Sequence, residues 1–194
     1  MHILILVTFL ATSSLTASAQ TLASDCMTTA TGRTIEILKI PTQTGIDVFE
    51  VYCELGDLDE KPWLVIFLRK EPKYEYGGWQ DYTEGYHTLS GNYFIGLQRL
   101  HTITNRQPHE LMLQLTQRNG MQHYMHFEHF AIANETSSYG VSSSGAYVGT
   151  MPRVKPADWL PWLTETFEMT THMKISIRPA VGRNKRKTKN DWKN

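Results

Sequence analysis

Three histidines at three-residue spacing, His123, His126 and His129, are the residues whose type most readily suggests metal chemistry. A metal needs imidazoles that converge on one point. The surrounding residues, Met121 to Ile132 (MQHYMHFEHFAI) after an Asn119-Gly120 pair, read as a strand. On a strand His123 and His129 share one face and His126 takes the other, so no metal site is expected. Ser142-Ser143-Ser144-Gly145 supplies hydroxyls, but the Gly-x-Ser-x-Gly elbow of a hydrolase is absent. Asp57, Asp59 and Glu60 crowd a turn without the spacing of a calcium loop. Neither a phosphate-cradling glycine loop nor a dinucleotide fingerprint occurs. These residues form no catalytic constellation, and no enzyme activity is expected.

The remaining chemistry is covalent or electrostatic. Cys26 and Cys53 are the two cysteines of the sequence, 27 residues apart. An even pair in an oxidising compartment favours a disulfide, with two buried free thiols as the alternative. Residues 1–19 (MHILILVTFLATSSLTASA) place an apolar run before Ala17-Ser18-Ala19, the pattern of a signal peptide cleaved after Ala19. A membrane anchor is the competing reading, but that run is too short to span a bilayer. The mature chain is therefore expected to be secreted. Asn134-Glu135-Thr136 is a glycosylation sequon beside a Ser/Gly-rich stretch.

Charge is unevenly spread. Arg183, Lys185, Arg186, Lys187 and Lys189 lie in a basic tail, residues 182–194, that has little apolar content and reads as disordered. A solvated terminus is the plainer reading. The functional one is an anionic partner, a sulfated glycan before a membrane surface, and no nucleic acid is expected. Composition bounds the rest: 41% hydrophobic residues and 11% aromatics exclude wholesale disorder, collagen and coiled coils. Residues 20–181 have the length of one domain with a core of its own.

The elements that must hold these residues are short. Strands are predicted at Thr34 to Ile40, Val48 to Cys53, Trp63 to Leu68 and Met173 to Ile177, the last closed by Pro179. Trp79 to Tyr86 reads as a short helix ending at Gly85, and a second helical segment runs on from Leu100 until Pro108. Glu110 to Thr116 and Met121 to Ala133 flank Asn119-Gly120, which predicts a hairpin with a type I′ turn. Ser137 to Gly149 reads as loop, and three prolines make Met151 to Pro161 irregular. Short strands without βαβ alternation point to an α+β fold on an antiparallel sheet.

One stretch is specific. Trp79 to Thr104 contains Trp79, Asp81, Tyr82, Gly85, Tyr86, Leu89-Ser90-Gly91, Phe94, Gly96 and Leu100-His101 in one register. This resembles the central signature of the fibrinogen C-terminal domain, the globular module of fibrinogen, ficolins and angiopoietins. Ser24-Asp25-Cys26, Thr31-Gly32 and Phe49 to Glu54 look like that family's opening. The resemblance implies that Cys26 and Cys53 form the family's first disulfide, closing a small N-terminal lobe beside a twisted antiparallel sheet with short helices.

After Thr150 the pattern departs. The family's Asp-rich calcium loop, second cysteine pair and ligand pocket have no counterpart, while Trp159 to Trp162 and Met173 to Pro179 resemble its last elements. An internal shortening that removes the calcium and ligand-pocket lobe is the expectation, with a skipped exon as the alternative. No calcium cofactor is then expected. The resemblance implies a secreted, lectin-like binding protein of the extracellular space, in innate recognition or receptor binding. The alternative is a non-lectin interaction protein that binds an extracellular protein or glycan through its sheet or tail. Only Gln20 to Asp25 separates the cleavage point from Cys26, so no oligomerising stem fits and a monomer is expected.

Overall fold

The computed structural model describes residues 26, 33–41, 45–55, 61–70, 78–88, 91–151 and 169–180. The first part of the chain supplies β1 (Arg33–Pro41), β2 (Ile46–Leu55), β3 (Pro62–Arg69), α1 (Trp79–Glu84), β4 (Tyr86–His87), β5 (Tyr93–Phe94) and α2 (Leu97–Thr104). The second supplies β6 (His109–Gln117), β7 (Gln122–Ile132), a 3-10 turn at Glu135–Ser137, β8 (Val141–Ser143), β9 (Tyr147–Gly149) and β10 (Thr170–Pro179). Among the described residues the strand pairings are antiparallel, in the order β1-β2-β3-β10-β6-β7-β8. The short strands β5 and β9 attach beside β3 and β7, and β4 beside β5. The described residues thus form a mostly antiparallel sheet with two short helices.

Residues directly opposite one another on paired strands share a face. One such row runs Thr34, Cys53, Leu64, Ile177, Leu111, Phe127, Tyr147 across seven strands. Its five central members are all buried. The two helices cover this face. Leu97, Leu100 and Ile103 of α2 join the same core, and Arg99 reaches down to Asp47 at 2.7 Å and lies over the Phe49 ring. We call it the helix face.

Two signature glycines explain why α1 and α2 meet as they do. Gly85 ends α1 at φ +92° and Gly96 precedes α2 at φ +97°, a region that side-chain-bearing residues rarely adopt. A Cβ on Gly85 would fall 2.6 Å from the Phe94 carbonyl oxygen, and one on Gly96 2.6 Å from the Glu84 carbonyl. The two backbones touch, and no side chain fits between them.

Several local expectations are corrected. The β6–β7 turn is not type I′. Gln117 and Met121 close it through a 2.8 Å backbone bond, so three residues intervene rather than two. Only Gly120 is left-handed, and the Gly120 N–H donates to the Gln117 carbonyl at 2.9 Å, the pattern of a three-residue loop with a glycine bulge. The Asn119 carboxamide oxygen accepts from the Met121 N–H, which occupies the side chain locally. α2 ends at Thr104 rather than at Pro108, because the Asn105 side chain donates to the His101 and Ile132 carbonyls. The Ser/Gly-rich stretch is not wholly loop, since β8 and β9 both pair with β7. The N-terminal hairpin is not a separate lobe either: Tyr52 to Leu55 pair with Pro62 to Val65 and make it the sheet's edge.

Candidate functional site: the charged face of the sheet

The other face carries a parallel row: Ile35, Tyr52, Val65, Ser176, Met112, His126, Val148. Strand alternation forces every second residue here, whatever its chemistry. The result sets charged side chains among apolar ones, where the helix face is apolar throughout its centre.

Two ion-pair groups occupy it. In the first, the Glu110 carboxylate accepts from His126 Nε2 at 2.9 Å and from Arg178 Nη2 at 3.2 Å. The Arg178 guanidinium lies 4.2 Å from the Trp63 ring centroid, and His126 meets that ring edge-on. His126 is 1% exposed. Burial alone would push the Glu110 carboxyl up, but the His126 hydrogen bond and the Arg178 charge outweigh it and hold it below its ordinary value. A cation over an indole and a carboxylate with two donors are both stabilising arrangements.

In the second group Glu54 pairs with Lys174, Nζ to Oε2 at 2.5 Å, and with Arg33. Burial again raises the carboxyl, and Lys174 followed by Arg33 brings it below its ordinary value. Arg33 also lies over the Tyr52 ring, whose hydroxyl shares a 2.8 Å hydrogen bond with His87 Nε2. Toward the sheet's edge the face turns apolar and open. Ile35, Ile37, Ile46 and Val48 are 50–61% exposed.

Comparison with known proteins decides the family. Residues 22–178 match the C-terminal globular domain of the fibrinogen beta and gamma chains. The protein belongs to the fibrinogen C-terminal domain family. Mouse (Mus musculus) angiopoietin-related protein 7 is 29% identical over 106 residues, 53% of this chain and 31% of that protein. Bovine (Bos taurus) fibroleukin is 28% identical over 119 residues, 61% of this chain and 26% of its own. The chain thus spans about a third or less of the curated relatives it matches. In structure it is similar to the fibrinogen-like globe domain of human ANGPTL2, with a TM-score of 0.63 and 14% identity over 77% of this chain and 94% of that one. A lamprey fibrin D-dimer complexed with the peptide Gly-His-Arg-Pro-amide matches at TM-score 0.51, with 23% identity over 61% of this chain and 38% of its own. At these identities the structural likeness shows the fold alone.

Within this fibrinogen C-terminal domain the sequence-predicted residues are scattered rather than assembled. Cys26 and Cys53 form a disulfide with their Cα atoms 5.7 Å apart, tying Cys26 to the C-terminal part of β2. Asn134 is exposed at the start of the 3-10 turn, and the Thr136 hydroxyl donates to its carboxamide oxygen at 2.7 Å. The leader, the cations Arg183, Lys185, Arg186, Lys187 and Lys189, the acidic turn and Trp159 to Trp162 all lie outside the described residues.

The histidine run behaves differently from strict alternation. His123 and His126 do take opposite faces, pairing with Leu115 and Met112. Between the pairs Leu111↔Phe127 and His109↔Phe130, however, β7 holds one extra residue, so the alternation does not carry through to His129. Among the described residues no three His, Cys, Asp or Glu side chains gather to hold a metal ion. Sequence reasoning missed Glu54, Glu110, Lys174 and Arg178 altogether. Their signal was register: each sits on the same side of its strand as a partner 16 to 120 residues away.

Proposed function

We propose that this fibrinogen C-terminal domain is a secreted, non-enzymatic binding module that meets an extracellular partner through the charged face of its sheet. The observation that carries the reading is the open end of that face. Four aliphatic side chains, Ile35, Ile37, Ile46 and Val48, stand at least half exposed beside fixed ion pairs. Apolar side chains grouped on a sheet surface and rimmed by charge mark an interaction site more often than idle surface. The extracellular part is supported by the signal-peptide pattern of residues 1–19, the Cys26–Cys53 disulfide and an exposed asparagine in a sequon.

The departure of the sequence after Thr150 supports an internal shortening in which the calcium and sugar-pocket lobe is lost. Binding then falls to the sheet instead of a calcium-organised pocket. Expression in a eukaryotic secretory line tests the whole reading. The expected product is in the medium, begins at Gln20, holds one disulfide and carries a glycan on Asn134. It is not retained on an acetylated-sugar resin by calcium. Calcium-dependent retention that a chelator reverses would establish the lectin-like reading instead. A chain kept inside the cell with its first 19 residues intact would sink the extracellular one.

A further inference from the structure

One quadrant of the charged face gathers cations from three strands. On β10, His172 and Lys174 alternate to this face, opposite Thr116 and Gln114 of β6. Lys174 is also paired with Leu68 of β3 and Met173 with Arg69, and Lys70, the residue after β3, is near enough to His172 for its charge to act on the imidazole. Arg33 of β1 arrives from the far side through Glu54, which also holds Lys174. The row Lys174, Leu68, Tyr93, His87 continues the same face onto β5 and β4, and His87 bonds Tyr52.

Three fixed positive charges therefore surround His172, and Glu54 is the carboxylate that opposes them. We infer that this quadrant, formed by Arg33, Lys70, His172 and Lys174 beside Tyr52 and His87, binds an anionic glycan through its sulfate or carboxylate groups. The inference rests on the extracellular reading above for the kind of polymer it meets.

The charge argument is direct. Like charges held together at a sheet surface repel one another, and an oxyanion placed among them relieves that repulsion. Among the described residues Glu54 relieves part of it and leaves two positive charges over. His172 registers the rest: burial first, then Lys174, Arg33 and Lys70, hold its imidazole below the ordinary value, and Glu54 opposes them weakly. Two features favour a glycan over an acidic peptide. The quadrant offers ring surface, half-exposed Tyr52 and exposed His87, beside the cations, and a sugar presents an apolar C–H face next to its oxyanions. His172 and Lys174 also stand on β10, which is paired with β3 and β6 and offers no open edge to which an extended peptide could add main-chain hydrogen bonds.

The test uses the full secreted chain and a heparin octasaccharide as probe, measured by calorimetry at low salt. The double variant Lys70→Ala/His172→Gln leaves the Glu54 and Glu110 ion pairs intact and should weaken binding about tenfold. Glu54→Gln, which removes the competing carboxylate, should tighten it. Neutralising Arg183, Lys185, Arg186, Lys187 and Lys189 in the C-terminal tail should leave a saturable site that the double variant still weakens. Affinity should rise as pH falls from 7.5 to about 6, because a bound oxyanion lifts His172 toward protonation, and the rise should vanish in the His172→Gln background. His87 is the other imidazole of the quadrant, so a His87→Gln background should keep the rise if it belongs to His172.

Binding unchanged in the double variant, or lost entirely with the tail alone, would overturn the site. Equal affinity for a polyglutamate of matched charge would overturn the glycan assignment. Binding of the octasaccharide by purified protein that cells fail to secrete would count against the extracellular reading and leave the site standing.

Discussion

The two faces of one sheet, built from the same strands, are held together by different physics. Along the helix face the row from Cys53 to Phe127 is apolar, every member at most 3% exposed, and α2 closes over it. Along the charged face the row from Tyr52 to His126 passes Val65 and Ser176, and around it stand Glu54, Glu110, Arg178 and Trp63. Apolar burial is non-directional and stabilises in proportion to area. Buried charge is conditional on geometry, since losing one partner leaves the other costly. The helix face thus stabilises through area, and the charged face makes part of the stability depend on pH.

The contrast is tested most directly at Leu113, fully buried on the helix face of β6. Leu113→Ala should cost about 2–5 kcal/mol, while Met112→Ala next to it on the charged face should cost under ~1.5 kcal/mol, both read from urea midpoints. Next in size is the disulfide. Cys26→Ala/Cys53→Ala opens a loop of 27 residues and should cost about 3–4 kcal/mol of stability against denaturant. Gly96→Ala should follow at about 1–3 kcal/mol, from backbone strain at φ +97° alone. Its clash with the Glu84 carbonyl adds to that cost, and thermal melting would read both. On the charged face, Glu110→Ala should cost about 1.5–3 kcal/mol by stranding Arg178 and His126.

The smallest effect discriminates best. Glu54 and Glu110 both lie below the ordinary carboxyl value of 4.5 in the folded chain. Their contribution is therefore fully present above that pH and is lost as pH falls through their folded values. His172 acts in a higher window. Its folded value lies below 6.5, so the unfolded chain takes up a proton first and stability declines as pH drops beneath 6.5. Glu54→Gln/Glu110→Gln should flatten the acid limb of a stability–pH curve and leave the limb near 6 in place. His172→Gln should do the reverse. If neither limb moves, the charged face is not tuning the fold.

Much of the helix face was legible in the sequence. Leu111, Leu113 and Leu115 alternate with polar residues, and Gly85 and Gly96 sit inside a signature whose spacing a backbone contact imposes. The disulfide could be read from two cysteines and the signal-peptide pattern of residues 1–19. The charged face could not, because Lys174 and Glu54 are 120 residues apart and meet only after β10 has inserted beside β3. The β7 bulge was hidden for a related reason. Alternation is a property of one strand, whereas an extra residue appears only against its partner. The hairpin turn misled because Asn119 used its side chain to cap Met121 and not its backbone to turn.

β10 is the last described strand along the sequence and the middle one across the sheet, paired to β3 on one side and β6 on the other. A ribosome delivers it late. Until then β1 to β5 and β6 to β9 are two half-sheets, each with a raw hydrogen-bonding edge turned toward the other. Such edges invite pairing with the wrong strand. The molecule's weakest moment should accordingly come during synthesis and not afterwards. A stop codon placed just before Thr170 should yield aggregate, where the same protein ending at Ala180 yields a folded domain.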